Sequence, residues 1–187
     1  MNIQPNLQMG NAEFLAWVQS REGRYELASG RTIMMTGGSR GHAILVRRLA
    51  AALEKRLDSR RWTVLTSDFG VDLGPSTVRY PDVVVDVAGG RFKDLTATAP
   101  AVIAEVASPS SAKDDIGPKA DEYVRLPSLS AYLVLAHDEP KAWVWVRGAE
   151  GFSPKPSVIA GRDVVIEIAP LGIALPLADI YAGVDYR

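Results

Sequence analysis

The chain contains no cysteine, and this absence excludes two kinds of structure. Neither a disulfide framework nor a thiolate metal site can form without cysteine side chains. Zinc in proteins is held mainly by cysteine and histidine, so the presence of only two histidines also argues against a zinc site. A reducing compartment fits this composition.

Long apolar runs and a secretory signal are missing as well. No run approaches the roughly 20 apolar residues that span a bilayer. Residues 1–6 have neither the basic start nor the apolar stretch of a secretory signal. We therefore expect a cytoplasmic protein without a membrane partner.

The chain has almost no net charge, at −1 with a pI near 6.1. This balance argues against a protein that coats nucleic acid by bulk electrostatics. Basic residues nevertheless gather between positions 40 and 61, where they exceed acidic residues by five. A solvated helix face is the ordinary explanation of such a charge run.

The size and composition indicate one compact domain. The chain has 187 residues, of which 47% are hydrophobic and 23% charged, as in ordinary globular proteins. We expect a single domain over residues 1–187, with its core at about residues 41–136.

Apolar periodicity and turn residues predict three helices and one hairpin. The longest helix is predicted over 41–58, and a shorter one over 12–19 with Asn11 as its N-cap. Residues 25–35 read as a hairpin around a Ser29–Gly30 turn. A third helix is predicted over 114–126, with Pro118 tolerated in its first turn.

Short β-branched runs predict the strands of a central sheet. Those at 82–87 and 101–107 have the continuous apolar character of strands covered on both faces. Strands at 163–168 and 173–175 are expected to close the sheet, followed by a helical turn at 177–181. The other predicted strands are 62–66, 70–73, 131–136 and 141–147. The order of elements is that of an α/β protein.

Two carboxylates lie inside these apolar strands. Asp82 begins one strand and Glu105 lies in the next, while Asp115 and Lys119 follow four positions apart. Acids of this kind hold hard cations such as Mg²⁺, and a lysine can position water or phosphate. Two acids and one lysine are the minimal set for metal-assisted phosphodiester hydrolysis.

The ordered set of residues resembles the PD-(D/E)XK nuclease superfamily, and more specifically its Uma-two family. The resemblance runs from about residue 12 to residue 184. The matching residues are Tyr25, Glu26, Leu27, Gly30, His42, residues 81–85, Glu105, Val106, residues 108–110, Asp115, Gly117, Lys119, Tyr123, residues 126–129, Tyr132, residues 175–177, Ile180 and Tyr181.

The resemblance implies a restriction endonuclease-like α/β fold. Its central mixed β-sheet would be flanked by helices, with an N-terminal helix and hairpin and additional C-terminal strands. The implied activity is that of a Mg²⁺- or Mn²⁺-dependent endonuclease acting on nucleic acid, with DNA as the expected substrate.

The resemblance also implies roles for particular residues. Asp82 and Glu105 would be metal ligands, joined by the backbone carbonyl of Val106. The superfamily places a lysine two residues after the second acid, where this chain has Ala107. Lys119, on the following helix, is the implied replacement. Glu26, His42, Asp115 and Tyr123 are the implied supporting residues.

Each assignment has a structural alternative. Asp82 would cap a turn, Glu105 would form a buried ion pair, and Asp115 with Lys119 would form a surface pair worth about 0.3–0.5 kcal/mol. Glu26 would be solvated or salt-bridged. A lone histidine such as His42 is more often structural than a ligand.

Two other functions stay open at this level. In the first, the protein would bind nucleic acid or a partner without cutting. This alternative is suggested by Ser29 and Arg31, which stand where the family's first hairpin usually carries acids. Alternatively the protein would be a purely oligomeric scaffold, in which the apolar strand 142–146 would pair or pack across a dimer. We expect a homodimer.

Overall fold

The computed structural model describes residues 8–108 and 111–184. Pro109 and Ser110, which belong to the family-like motif, lie outside the described residues. Within the described part the helices are α1 (Asn11–Val18), α2 (Arg40–Glu54), α3 (Ala112–Ile116), α4 (Pro118–Tyr123) and α5 (Leu177–Tyr181). No helix of these ranges is long and apolar enough to cross a membrane.

Strands make up three sheets in the same part of the chain. The strands are β1 (Tyr25–Ala28), β2 (Arg31–Met34), β3 (Trp62–Thr66), β4 (Val71–Asp72), β5 (Val78–Arg79), β6 (Val83–Val87), β7 (Val102–Ala107), β8 (Ala131–Ala136), β9 (Lys141–Val146), β10 (Ser157–Ala160), β11 (Val165–Ile168) and β12 (Ile173–Pro176).

A mixed six-stranded sheet forms the centre of the molecule, in the order β10-β9-β8-β7-β6-β3. The β7–β8 pair is parallel, and the other neighbours are antiparallel. All residues of β7 and β8 are buried. Their continuous apolar sequences are therefore those of strands covered on both faces. The predicted α/β fold with a central mixed sheet is confirmed.

Helices cover both faces of this sheet. On one face α2 and α5 pack against alternate residues of the strands, such as Val83 and Ala104. On the other face α3 and α4 pack against residues such as Val84 and Ile103. Because side chains alternate along a strand, Glu105 faces the α3–α4 side together with Ile103.

The N-terminal part forms a separate sheet in the order β2-β1-β5-β4, beside α1. The predicted hairpin is confirmed, with both turn residues in the left-handed region, Ser29 at φ 48° and Gly30 at φ 80°. This is the backbone that two-residue hairpin turns require. Strand β5 was not predicted, because two residues carry no periodic pattern.

The predicted helix over 114–126 is wrong as one continuous element. The backbone breaks at Gly117, at φ −105° and ψ −103°, and two short helices lie on either side. Pro118 explains the break, since it has no N–H to donate and its ring collides with the carbonyl four residues earlier. Lys119 therefore lies in the first turn of a new helix.

Two further predictions differ from the structure, and one strand was not predicted. Gly10, and not Asn11, is the N-cap of α1. The Asn11 side chain instead donates to the Asp72 carboxylate and the Gly74 carbonyl. Strands β11 and β12 pair with each other rather than closing the central sheet. The outer strand there is β10, whose mostly exposed residues gave no alternating signal.

Candidate active site

Asp82 and Glu105 meet where the pairing between β6 and β7 ends. The strand register runs from Val85 opposite Val102 to Val83 opposite Ala104. One residue further, the main-chain N–H of Asp82 donates to Glu105 Oε2 at 3.2 Å. Asp82 Oδ2 in turn accepts from the Val106 N–H at 2.8 Å. Beyond the last backbone pair, the two carboxylates therefore accept the hydrogen bonds of the main-chain N–H groups. The two side chains are held next to each other.

Val106 presents its main chain to the same place. A residue in a strand directs its N–H and C=O towards the same neighbouring strand. Since the Val106 N–H meets Asp82, its carbonyl lies on the same edge of β7. This position is compatible with the oxygen ligand that the family resemblance implies.

Lys119 forms ion pairs with two acids of the cluster, Glu105 and Asp115. Its Nζ lies 3.1 Å from Glu105 Oε1 and 3.0 Å from Asp115 Oδ1. The side chains of Lys119, Glu105 and Asp115 are 12%, 6% and 3% exposed. The Asp115–Lys119 contact is therefore no solvated surface pair, and the break at Gly117 lets α4 turn the lysine towards β7.

Two tyrosines complete the enclosure of Glu105 and Asp115. Tyr123 Oη donates to Glu105 Oε1 at 3.4 Å, and Tyr132 Oη donates to the Asp115 carbonyl at 2.8 Å. Their rings are in contact, with centroids 5.0 Å apart. Both are fully buried, so they seal the apolar side of the carboxylates.

His42 approaches Asp82 from α2. Ser39 caps this helix by accepting from the His42 N–H, and the ring Nε2 lies 3.1 Å from Asp82 Oδ2. The hydrogen bond to Asp82 raises the pKa of His42 above its usual 6.5, although burial opposes the shift. Gly38 lies against the ring: a Cβ there would be 2.6 Å from Nδ1.

Glu26 reaches the site through a residue that the sequence analysis missed. Its carboxylate accepts from Arg79 Nη1 at 3.1 Å and from the Tyr80 N–H at 3.1 Å. Arg79 also binds Glu122 of α4 through Nε and Nη2. The available signal was an arginine directly before Tyr80, Pro81 and Asp82.

Asp86 lies on the same face of β6 as Asp82, but its carboxylate binds a different part of the chain. Its two oxygens accept from the N–H groups of Thr98 and Ala99, at 2.9 and 2.8 Å. The Asp86 carboxylate therefore fixes the segment that leads into β7.

The cluster is rich in negative charge for such a buried place. Burial raises the pKa of the Glu105 carboxyl to about 8; Lys119 opposes this shift, and Asp82, Asp115 and Glu26 add to it. For Lys119, burial would lower the pKa, but the carboxylates of Glu105, Glu26 and Asp115 outweigh it and raise the pKa. Lys119 is therefore a cation.

The donor set is suited to a hard cation with few protein ligands. Among residues 8–108 and 111–184, no three acidic or histidine side chains come together as a closed metal cage. Mg²⁺ usually takes one or two carboxylates and completes its shell with water and phosphate oxygens. Asp82 and Glu105 supply that number.

Comparison with known proteins places the chain in a family. The model of the Uma2 (Uma-two) family, described as "Putative restriction endonuclease", matches residues 12–178. The chain belongs to the Uma2 family. The resemblance found from the residue pattern is thereby confirmed.

Relatives of the chain occur in Synechocystis. An uncharacterized protein, sll1609, is 30% identical over 66% of this chain and 72% of its own length. A second, slr1290, also uncharacterized, is 29% identical over 97% of this chain and 96% of its own length. The similarity to slr1290 thus extends along nearly the whole chain.

A solved structure has the same fold. It is described as a "putative nuclease belonging to DUF820" from Anabaena variabilis. The two structures agree with a TM-score of 0.73 at 13% identity, over 93% of this chain and 98% of the other. At this identity the likeness concerns the fold.

Proposed function

We propose that this Uma2 protein is a Mg²⁺- or Mn²⁺-dependent endonuclease that hydrolyses phosphodiester bonds of DNA. The observation that carries the proposal is the meeting of Asp82, Glu105 and Lys119 where β6 begins. Two hard oxygen ligands beside a buried cation suit an anionic ester.

Asp82 and Glu105 would hold the cation, with the Val106 carbonyl as a further oxygen. Bound there, a divalent cation supplies Lewis-acid stabilisation of phosphate charge and a more acidic water. His42 and the Val106 N–H orient the Asp82 carboxylate through the same oxygen, Oδ2. Tyr123 donates directly to Glu105 Oε1, and Asp115 holds Lys119, the ion-pair partner of Glu105.

Lys119 acts as a positioning cation in this proposal. Its raised pKa keeps the ammonium group protonated, so it does not serve as a general base. A fixed cation beside the carboxylates can orient a water molecule or stabilise charge on a phosphate oxygen. Its place on α4 supplies the charge that Ala107 does not.

Cleavage of plasmid DNA in Mg²⁺ or Mn²⁺ tests the proposal. Wild-type protein is compared with Glu105→Ala and with Glu150→Ala, which removes an exposed acid between β9 and β10. We expect cleavage by the wild type and Glu150→Ala at rates well above Glu105→Ala. Equal rates for all three proteins would overturn the assignment of the site.

A second candidate is a protein that binds nucleic acid without cutting it. It is favoured by Ser29 and Arg31, which stand in the first hairpin at positions where the family usually carries acids. Salt-dependent DNA binding without cleavage in Mg²⁺ or Mn²⁺ would support this candidate. Metal-dependent cleavage that disappears in Glu105→Ala excludes it.

Two proposals concern organisation. We propose that residues 1–187 form a single domain with its core at about residues 41–136, which limited proteolysis tests. We also propose a homodimer, which light scattering tests. Strand β9 does not offer a free edge for it, since β8 and β10 pair with its two sides.

A further inference from the structure

A groove of about 620 Å³ runs between α2 and the turn that follows β3. One wall is formed by α2, including His42 and Arg47, and the other by Arg24, Thr66 and Ser67. Its size lies within the range of roughly 300–1,000 Å³ that is typical of ligand sites. None of the metal-binding roles proposed above uses this groove.

Both walls of the groove converge on Asp82. From the first wall, His42 Nε2 lies 3.1 Å from Asp82 Oδ2. From the second, the Ser67 N–H donates to the Asp82 carbonyl at 3.1 Å, and the Ser67 carbonyl accepts from Arg24 at 2.5 Å. Ser67 makes these contacts at a φ of 29°, in the left-handed region. The groove therefore ends at the proposed metal ligand.

The charges along the groove suit a polyanion. Arg24 is held on one wall by Ser67 and lies 3.5 Å from the exposed Asp68 carboxylate. Arg47, on α2, is exposed, and its side chain makes no hydrogen bond or ion pair with another of the described residues. A cation with no protein partner can bind an anion without breaking an existing contact. Glu54, further along α2, is the acid lining the groove.

Short side chains line the α2 wall between these charges. Ala43, Ala50 and Ala51 leave space for a backbone to approach the helix. A basic run on a helix is usually a solvated face, but here one of its arginines faces a second arginine across a groove. This distribution of charge and small residues is typical of a surface that binds a nucleic-acid backbone.

We propose that this groove binds the phosphate backbone of the nucleic-acid strand next to the phosphate that a cation at Asp82 would hold, with Arg24 and Arg47 each contacting a phosphate. The proposal rests on the proposed nuclease function and adds the path of the substrate. Phosphate contacts of this kind position a strand without reading its sequence. They therefore predict binding with little sequence preference.

The test measures binding of a fluorescent 20-base-pair duplex by anisotropy, without divalent metal, from about 50 to 200 mM NaCl. Arg24→Ala and Arg47→Ala should each weaken binding several-fold at low salt and reduce the slope of log K against log salt by about 0.9. Arg47→Lys should keep most of the slope. Glu54→Gln should bind more tightly than the wild type.

Arg91→Ala is the matched control. Like Arg24, Arg91 is a surface arginine close to an aspartate, with Nε 3.0 Å from Asp94, but it does not line the groove. Its variant should bind as the wild type does. Equal binding slopes for wild type, Arg24→Ala and Arg47→Ala would overturn the groove proposal, as would a wild type that does not bind the duplex. Metal-dependent cleavage, measured separately, reports on the proposed function in either case.

Discussion

The main-chain N–H of Asp82 donates a hydrogen bond to the carboxylate of Glu105, at 3.2 Å. One proposed metal ligand is thus the backbone partner of the other. Replacement of Glu105 by alanine removes this acceptor as well as a metal ligand, whereas glutamine keeps an acceptor oxygen. Comparison of Glu105→Gln with Glu105→Ala therefore separates the loss of the charged metal ligand from the loss of the hydrogen bond to Asp82.

Glu105→Gln and Asp82→Asn should each reduce the rate of metal-dependent DNA cleavage by about 100-fold or more. The reason is that each loses a charged ligand, and stabilisation by a bound cation is worth several kcal/mol, at about 1.4 kcal/mol for each factor of ten. Initial rates of plasmid nicking measure the effect. Glu150→Gln is the matched control and should retain wild-type rates; unfolding curves check that all variants are folded.

Above pH 8, where the Glu105 carboxyl is ionised, Lys119→Met should destabilise the protein by about 3–5 kcal/mol, since it leaves the buried carboxylates of Glu105 and Asp115 without their cation. Denaturant unfolding measures the loss. Combining it with Glu105→Gln should recover part of the stability, because the uncompensated charge is smaller. Strict additivity of the two single changes would contradict the ion pairing described above.

The metal-free protein should lose stability as the pH rises from about 5 to 8. Glu105 has a folded-state pKa of about 8, above its ordinary 4.5, so the folded state holds a proton that the unfolded state releases in this interval. The free energy of unfolding should fall by up to about 1.4 kcal/mol per pH unit. His42, whose pKa is also raised, contributes a loss of the same sign above pH 6.5.

Glu105→Gln is the control for this pH dependence. It keeps the contribution of His42 and removes that of Glu105, so its unfolding free energy should vary less between pH 5 and 8. Urea unfolding at four pH values measures both proteins. A variant with the same slope as the wild type would show that Glu105 is ionised throughout the interval.

Gly38→Ala should impair cleavage as strongly as His42→Ala, with little effect on the unfolding temperature. A Cβ at position 38 would lie 2.6 Å from His42 Nδ1, and the ring can move away more easily than the backbone. The hydrogen bond to Asp82 would then be lost. Gly37→Ala is a matched control, since no atom lies within 4 Å of a Cβ there. Nicking rates and melting curves check the comparison.

The sequence predicted the sheet and its two acids because charged residues inside apolar strands are easily recognised. It did not predict the hydrogen bond from Asp82 to Glu105, since the stagger of two strands depends on their pairing rather than on either pattern alone. The ion pair of Glu26 with Arg79 was also missed. It joins residues 53 positions apart in the chain, and nothing local specifies it.

Arg79 joins two parts of the molecule that are distant in sequence. It is 4% exposed and binds Glu26 of β1 on one side and Glu122 of α4, the helix of Lys119, on the other. Opening of either element removes one of the two carboxylates that compensate this buried charge. The hairpin and the lysine-bearing helix should therefore open as one cooperative unit, and their amide protons should exchange with solvent at similar rates.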